Sequence, residues 1–592
     1  MSEKKCLAAR AVCAWTLIIL AAACGAPTSE DTLWLSGDVP LSGTPAYEYR
    51  ILDHWDNLDD SVERGYAGPS IWGWTCEELP SERIETYARL NEKIGINGAV
   101  LNNVNTNPDI LSSGRLARVA QIARILRAHG MKTFLSVNFA SPSALGELPT
   151  SDPLDPEVIS WWKDKVAEIY ALVPDFGGFL VKASSEGQPG PQDYGRTHAD
   201  GANMLADALA PYGGIVMWRA FVYSASSPDR AKQAYEEFMP FDGQFRDNVT
   251  VQIKNGPIDF QPREPFSPLF GGLRHTSMTA ELQITQEYLG QSRNLVFLAP
   301  MWEECLKSDT YRDGEGSTVA AVTSESLVSA IAGVANTGQS PDWCGSIFAQ
   351  ANWYAFGRLA WDPTLTSEQI AEEWLRLTFR KPRFVSQRRF TREFIEPVKA
   401  MMLSSREACV DYMMPLGLHH LFAADHHYGP EPWCDVEGFR PDWLPSYYHR
   451  ADSAGIGFDR TLSGSGAVAQ YNEPLSSLYG GPDCPDEYLL WFHHLGWDYT
   501  MRSGDSLWNE LCRHYDRGVK MARSYRELWA GMKPFVDRKR YDSVAETLRV
   551  QERDAVWWRD ACVGYFGSFS RRPLPPDVES LSTQQEAPVQ QD

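Results

Sequence analysis

The feature that most constrains the fold of this chain is a repeated alternation between short, apolar, β-branched runs and longer stretches with helical spacing of apolar residues. This alternation is the sequence pattern of βα units, which build a parallel sheet. About eight runs are predicted as strands, at residues 47–53, 98–101, 132–137, 177–181, 215–218, 249–253, 282–284 and 327–334. Helical spacing lies between them at residues 81–92, 113–129, 155–171, 199–209 and 229–238. The pattern predicts an α/β fold, a (β/α)8 TIM barrel.

The length of the chain predicts a second domain, because its 592 residues far exceed the roughly 250 of a typical barrel. We expect the catalytic barrel to cover residues 47–375. Helical patterns such as the one over residues 506–530 then predict a mainly α-helical C-terminal domain over residues 376–570. The end of the chain, residues 571–592, is rich in Pro, Gln and Ser and is predicted to be disordered.

The N-terminus has the pattern of an export signal. Basic residues precede an apolar stretch over residues 11–23 that is too short to span a membrane as a mature helix. We therefore predict a signal peptide over residues 1–24 and a leader over residues 25–46. Three alanines directly before Cys24 resemble a lipobox, so a lipid anchor at Cys24 and simple cleavage both stay open. The expected location is periplasmic or, as a lipoprotein, membrane-anchored.

Composition excludes several classes of function. A formal charge of −22 argues against nucleic-acid partners and against an anionic membrane surface, which would require a basic face. The paired histidines show neither of the His spacings typical of a metal-binding helix, and the cysteines form no Cys-x-x-Cys, so no metal and no cofactor is predicted. Most cysteines are expected to be buried free thiols. A homodimer is an assembly that the sequence allows.

Polar side chains follow almost every predicted strand, at the end where barrel enzymes place their chemistry. A single Asn after a strand is ordinary turn chemistry, but a series of such ends indicates a binding pocket. The strand ends read HWDN at 54–57, NNVN at 102–105, Asn138, KASSE at 182–186, Arg219, KNGPID at 254–259 and Glu287.

These strand ends are expected to assemble one charged cavity. In an extended segment, alternate residues from Lys182 to Glu186 share one face. The alternate residues Gln283, Thr285 and Glu287 share one face in the same way. With Asp259 and Arg219, the loops would bring three carboxylates and two cations together. Barrel salt bridges are the structural alternative to a functional site here.

The chemistry of the cavity favours cleavage of a glycoside. This reaction needs one protonated carboxyl to protonate the leaving oxygen and one ionised carboxylate on the opposite face. Two cations beside these groups suit a sugar that carries its own carboxylate, with Arg219 offering a bidentate fork. We therefore predict an anionic sugar as the substrate.

Long segments of the chain, over roughly residues 47 to 565, resemble the α-glucuronidases of glycoside hydrolase family 67. Such runs are far more specific than a short catalytic pattern. They are RILDHWDN at 50–57, ERGYAG at 63–68, SEGQPG at 185–190, YGRTHADG at 194–201, QIKNG at 252–256, AQANWYAFGRLAW at 349–361 and PLGLHH at 415–420.

This resemblance implies an inverting hydrolase that releases (4-O-methyl)-D-glucuronic acid from α-1,2-decorated xylo-oligosaccharides. Glu186 matches the family's general acid, and Asp259 and Glu287 match its two candidate bases, between which the sequence does not choose. Four further residues match contacts to the sugar: Lys182 and Arg219 at the uronate carboxylate, and Trp55 and Val104 near the O4 substituent.

One departure from the family concerns the region ahead of the barrel. Relatives usually carry an N-terminal β-domain there, and we expect this chain to lack it, because only about 22 residues separate Cys24 from Tyr47. Two rival functions stay open at this point. One is a lyase acting on uronate polymers, and the other is a non-catalytic oligosaccharide-binding lipoprotein.

Overall fold

The computed structural model describes residues 37–221, 227–340, 342–423 and 427–582. In these ranges, parallel strands close into a barrel in sequential order, which confirms the predicted fold class. The barrel strands are β1 Tyr49–Asp53, β2 Gly98–Val100, β3 Lys132–Ser136, β4 Gly178–Val181, β5 Ile215–Arg219, β6 Val249–Lys254, β7 Ser277–Gln283 and β8 Ala330–Val334. The predicted export signal and Cys24 lie outside the described residues.

The described barrel half has an α-helix at each of the five stretches with predicted helical spacing, together with four further α-helices. They are α1 Ser81–Lys93, α2 Ser113–Ala128, α3 Ser141–Ala144, α4 Pro156–Leu172, α5 His198–Leu209, α6 Arg230–Phe238, α7 Leu269–Gly272, α8 Ala299–Lys307 and α9 Val319–Ser324. Capping residues set several of their starts. Asp155 accepts the Glu157 N–H at 2.8 Å ahead of α4, and Thr197 with Asp200 forms a capping box at α5.

Strand β7 differs from its prediction. The sequence pattern placed a strand over residues 282–284, whereas β7 runs over Ser277–Gln283. Thr279 and Glu281 interrupt the apolar run, and both side chains form hydrogen bonds with polar side chains inside the barrel. Thr279 shares a 2.8 Å hydrogen bond with Thr250, and Glu281 pairs with Arg219. A polar barrel interior therefore hides this strand from a search for apolar residues.

The part of the chain after β8 is mainly helical, which confirms the helical character predicted for the C-terminal region, although its first helix lies within the range 47–375 predicted for the barrel. Its helices are α10 Ile347–Trp361, α11 Ser367–Thr378, α12 Gln387–Phe390, α13 Glu396–Met413, α14 Pro445–His449, α15 Leu475–Gly480, α16 Leu489–Phe492, α17 Leu507–Ala530 and α18 Arg538–Ser570, with a π-helical segment over Thr391–Ile395. A two-stranded sheet pairs β9 Gly455–Ile456 with β10 Leu495–Gly496. Helices α13, α17 and α18 pack against one another around buried tryptophans such as Trp508 and Trp529.

The predicted disordered tail is partly ordered. Residues 571–582 lie against the helical domain, where Val578 is buried. Arg523 and Arg559 both pair with Glu579, at 2.8 and 3.1 Å, and Arg513 pairs with Asp577 at 2.9 Å. Ion pairs to arginines of α17 and α18 thus hold a segment that its composition alone marks as disordered. The rest of the predicted tail lies outside the described residues.

Two other expectations concern cysteines and membranes. Among the residues that the structure describes, seven cysteines are buried free thiols, which confirms the expectation for most of them: Cys305, Cys344, Cys409, Cys434, Cys484, Cys512 and Cys562. Across the described part of the chain, no helix combines the length and the apolarity that a membrane span requires.

Candidate active site

Phe221, two residues after the end of β5, lies where several strand ends meet. Its ring centroid is 5.1 Å from the Nζ of Lys182 and 3.6 Å from the Nζ of Lys254. The guanidinium carbon of Arg219 lies 5.4 Å from the same centroid and 5.9 Å from the centroid of Trp55. Cations are attracted to the faces of aromatic rings. The ends of β1, β4, β5 and β6 therefore form a single mouth that contains three cations.

Glu186 is held by Lys182 at this mouth. The Nζ of Lys182 donates to the Glu186 carboxylate and, at 2.8 Å, to Oδ1 of Asn105. The amide nitrogen of Asn105 in turn donates to Glu63 at 3.0 Å. Lys182 is 4% exposed, whereas the side chain of Glu186 is 35% exposed. Burial lowers the pKa of Lys182, and the charge of Glu186 opposes this shift without cancelling it. The mouth thus contains an ion pair with one buried and one exposed member.

The loop that carries Glu186 is a tight turn and not the extended segment that strand parity requires. Ser184 and Glu186 have left-handed backbones, with φ of 53° and 49°. The turn brings Glu186 back onto Lys182, so the parity prediction is wrong although its outcome, convergence of the two side chains, is confirmed. Gly190 closes the turn, because a Cβ there would lie 2.6 Å from the backbone nitrogen of Ser184.

Asp259 is buried among donors on the loop after β6. Its Oδ1 accepts from Lys254 Nζ at 2.7 Å and from the Phe260 N–H at 3.0 Å. Its Oδ2 accepts from the Tyr288 hydroxyl at 2.6 Å and lies 3.8 Å from Arg230 Nη2. Burial raises the pKa of Asp259, but the charges of Lys254 and Arg230 outweigh burial and hold it well below the usual range. Asp259 is therefore a carboxylate at neutral pH.

A second buried carboxyl shapes the Asp259 loop. Glu264 accepts the backbone N–H groups of Ile258 and Asp259 at 2.9 and 3.0 Å. Burial raises the pKa of Glu264 to about 8 in spite of these two hydrogen bonds. The backbone ahead of the Asp259 side chain is thus fixed from within the protein.

Glu287 joins the barrel to the helical part of the chain. Its Oε1 lies 2.8 Å from Arg64 Nε and 3.0 Å from His427 Nδ1, and its Oε2 accepts from Gln283 at 2.9 Å. Burial raises the pKa of Glu287, but His427 and Arg64 outweigh burial and lower it. Its N–H donates to the Thr285 carbonyl at 3.0 Å, so this segment is also a turn, and the predicted extended face is wrong here too.

Arg219 does not present the free fork that the sequence predicted. Its Nε and Nη2 donate to the two carboxylate oxygens of Glu281 at 2.9 and 2.5 Å, and both side chains are buried. Gln252 connects Glu281 to Asp53, with hydrogen bonds of 2.9 and 2.8 Å. Burial, followed by the charge of Glu281, raises the pKa of Asp53 to about 8. The bidentate face of Arg219 is thus used inside the barrel.

Replacing Arg219 with Leu should destabilise the fold, because Glu281 would stay buried without its partner. Loss of one member of a buried ion pair costs about 3–5 kcal/mol, and we expect a decrease of that size in the free energy of unfolding measured in urea. The double variant Arg219→Leu/Glu281→Gln should regain at least half of the loss. A single variant with wild-type stability would instead mean that Arg219 serves the substrate and not the fold.

The two remaining predicted residues lie on the loops that follow β1 and β2. Trp55 is 6% exposed, and its indole nitrogen is buried without a hydrogen-bond partner in the described ranges. Val104 is buried between Asn103 and Asn105, both of which donate to Glu63, at 2.8 and 3.0 Å. Both are therefore buried, largely apolar side chains that lie beside polar loop residues.

Sequence reasoning missed several residues that contact the three carboxylates. Lys254 stands at the end of β6 and Arg64 within the ERGYAG run, so a search for cations in those segments could have found them. His427 lies 140 residues from Glu287 and follows no local pattern. Tyr448 accepts from Arg230 at 2.9 Å and so reaches the Asp259 cluster from the helical part. Only the folded structure reveals the contributions of His427 and Tyr448.

Comparison with known proteins identifies the family of this chain. The family models for the glycosyl hydrolase family 67 middle domain and C-terminus match residues 35–343 and 344–579. Alpha-glucuronidase A of Emericella nidulans is 42% identical over 562 residues, which are 91% of this chain and 64% of the relative. The probable alpha-glucuronidase A of Aspergillus flavus is 43% identical over 538 residues, 88% of this chain and 62% of the relative. The chain thus spans less than two thirds of the length of these curated relatives, and it belongs to glycosyl hydrolase family 67.

Proposed function

We propose that this chain is an inverting α-glucuronidase that releases (4-O-methyl)-D-glucuronic acid from α-1,2-decorated xylo-oligosaccharides. The observation that carries the proposal is one mouth in which three carboxylates, Glu186, Asp259 and Glu287, each pair with a cation. Hydrolysis of a glycoside needs an acid and a base on opposite faces of the sugar. The names of the similar fungal proteins support glucuronides as the substrate class.

Glu186 is assigned as the general acid. Its side chain is 35% exposed, against 6% for Asp259 and for Glu287, so it is the carboxyl most open to a leaving oxygen. A general acid must come within hydrogen-bond reach of that oxygen. The turn at Ser184 and Glu186 places the carboxyl at the mouth without burying it.

Glu287 is assigned as the base that activates the water, and Asp259 as a group that orients it. Asp259 accepts from Lys254, Tyr288 and a backbone N–H, and its pKa is held far below the usual value. So weak a base removes a proton from water poorly. Oε2 of Glu287 accepts from Gln283 alone among the described residues, so it can still accept a hydrogen bond from a water.

The uronate carboxylate is assigned to Lys182, with Arg219 contributing charge from its place in the barrel wall. Since Arg219 uses its fork on Glu281, the ammonium of Lys182 becomes the main cation for the substrate. Trp55 and Val104 are assigned to the apolar wall beside O4. A methyl group on O4 would fit such a surface, because it requires no hydrogen-bond partner.

Inversion follows from a single displacement by water. Glu287 takes a proton from the water as Glu186 gives one to the departing oxygen. No covalent bond forms between the sugar and the enzyme. Such enzymes separate the two carboxyls by about 6.5–9.5 Å to leave space for the water.

We further propose that the protein is exported and that short, terminally decorated oligosaccharides are better substrates than polymeric xylan.

Incubation with xylotriose that carries a terminal α-1,2-linked 4-O-methylglucuronic acid tests the proposal. We expect free uronic acid and intact xylotriose by chromatography, and no turnover of a matched neutral α-glucoside. A product with the ultraviolet absorbance of a 4,5-unsaturated uronate would mean a lyase. Binding without any product would mean a non-catalytic sugar-binding protein.

A further inference from the structure

The ion pair between Lys182 and Glu186 poses a problem for acid catalysis. A general acid must carry its proton when the substrate is bound, but an adjacent ammonium favours the ionised form of a carboxyl. Lys182 is buried and contacts Glu186 and Asn105, and Asn105 carries no charge to replace it. Before the substrate binds, the ammonium of Lys182 is therefore paired with the same carboxyl that must later donate a proton.

We propose that the substrate's own carboxylate takes over Lys182, and that Glu186 then takes up from solvent the proton that it later donates. This inference rests on the proposed glucuronidase function and on the assignment of Glu186 as the acid. It makes the charge of the substrate part of the catalytic cycle and not only of binding.

The exchange is favoured at Lys182 over the neighbouring cations. Arg219 pairs with Glu281, whose side chain is 1% exposed, and Lys254 pairs with Asp259, whose side chain is 6% exposed. The side chain of Glu186 is 35% exposed, so Lys182 can exchange it for another anion without leaving a carboxylate buried and unpaired. An incoming carboxylate can therefore replace Glu186 at far lower cost than it can replace Glu281 or Asp259.

The other charged groups around Lys182 fit this exchange. Arg219 and Lys254 approach it from β5 and β6 and repel its charge, so Lys182 benefits from any anion close by. Glu63 acts from the loop after β1 through the amide of Asn105. Asn105 can keep its 2.8 Å hydrogen bond to the Lys182 ammonium while the carboxylate partner changes.

The proton balance closes over one turnover. One proton from solvent joins Glu186 when the uronate binds, and the same proton passes to the leaving oxygen as the glycosidic bond breaks. The base takes one proton from the attacking water and returns it to solvent. Glu186, again a carboxylate, pairs with Lys182 when the product leaves. A neutral sugar cannot start this cycle, so discrimination is expected in kcat as well as in KM.

Calorimetric titration with D-glucuronate, the sugar of the proposed product, tests the inference. Titrations at pH 7 in two buffers with different ionisation enthalpies report the number of protons taken up on binding. We expect the wild type to take up protons on binding, because the incoming carboxylate is a like charge beside Glu186 and favours its protonated form. Glucuronamide, which lacks the charge, should bind with no uptake in the same protein.

Two variants locate the proton. Glu186→Gln should bind glucuronate with uptake close to zero, whereas the matched Glu287→Gln should keep the wild-type uptake, with thermal melting used to verify that both fold. Wild-type binding without uptake, or uptake that persists in Glu186→Gln, would overturn the inference. If either of these results is found and the enzyme still hydrolyses the glucuronide normally, only this inference fails. If glucuronate does not bind and the glucuronide is not hydrolysed, the proposed function fails as well.

Discussion

Glu186→Ala is expected to lower kcat for the xylo-oligosaccharide glucuronide by about a thousandfold and to leave an aryl glucuronide with an acidic phenol nearly unaffected. The sugar hydroxyl is a poor leaving group that needs a proton, whereas the phenolate departs without one. The contrast between the two substrates therefore isolates proton donation from binding and folding. Initial rates on both substrates, at saturating concentration, measure it.

Glu186→Ala also removes the anion that pairs with Lys182, so a structural effect must be separated from a chemical one. Lys182→Ala provides the matched control, because it removes the other member of the same ion pair. It should weaken binding of both glucuronides without selecting between leaving groups. An equal loss of both substrates in Glu186→Ala would contradict the assignment of Glu186 as the acid.

Glu287→Ala is expected to lower kcat for both substrates by similar factors, about a hundredfold or more, because water must be activated whatever group departs. Added azide should restore turnover of the aryl glucuronide, since a small anion can replace the activated water. Azide should not rescue Glu186→Ala on the oligosaccharide, where the missing element is a proton.

The comparison with Asp259→Ala separates the two candidate bases. Asp259 is expected to orient the site through Lys254 and Tyr288, so its loss should be smaller, shared by both substrates and insensitive to azide. The opposite ranking, with azide rescue at Asp259→Ala and none at Glu287→Ala, would assign the base to Asp259. Melting temperatures must be compared, because each variant leaves cations without their partners.

The fold was predictable from local patterns wherever those patterns are apolar. Helices such as α2 and α5 follow from helical spacing and a capping box, and seven strands lie close to their predicted positions. Strand β7 was misplaced because its interior side chains, Thr279 and Glu281, are polar. A barrel interior that contains an ion pair does not have the composition that reveals a core.

The candidate site was predictable in its residue types but not in its pairings. Polar strand ends located the carboxylates, because the ends of parallel strands meet at one face of a barrel. The partner of Arg219 lies inside the barrel, and His427 reaches Glu287 from the helical part, so neither follows from spacing. The strand-parity argument failed because left-handed residues turn the Glu186 loop back, and because the segment that ends at Glu287 is also a turn.

The central claim is a single displacement by water at a glucuronide, and the configuration of the first product tests it most directly. Proton NMR spectra recorded within seconds of mixing enzyme with the decorated xylotriose distinguish the anomers of free 4-O-methylglucuronic acid before mutarotation. We predict that the β-anomer appears first and that the α-anomer follows at the rate of spontaneous mutarotation. Initial appearance of the α-anomer would require a covalent intermediate and would contradict the account.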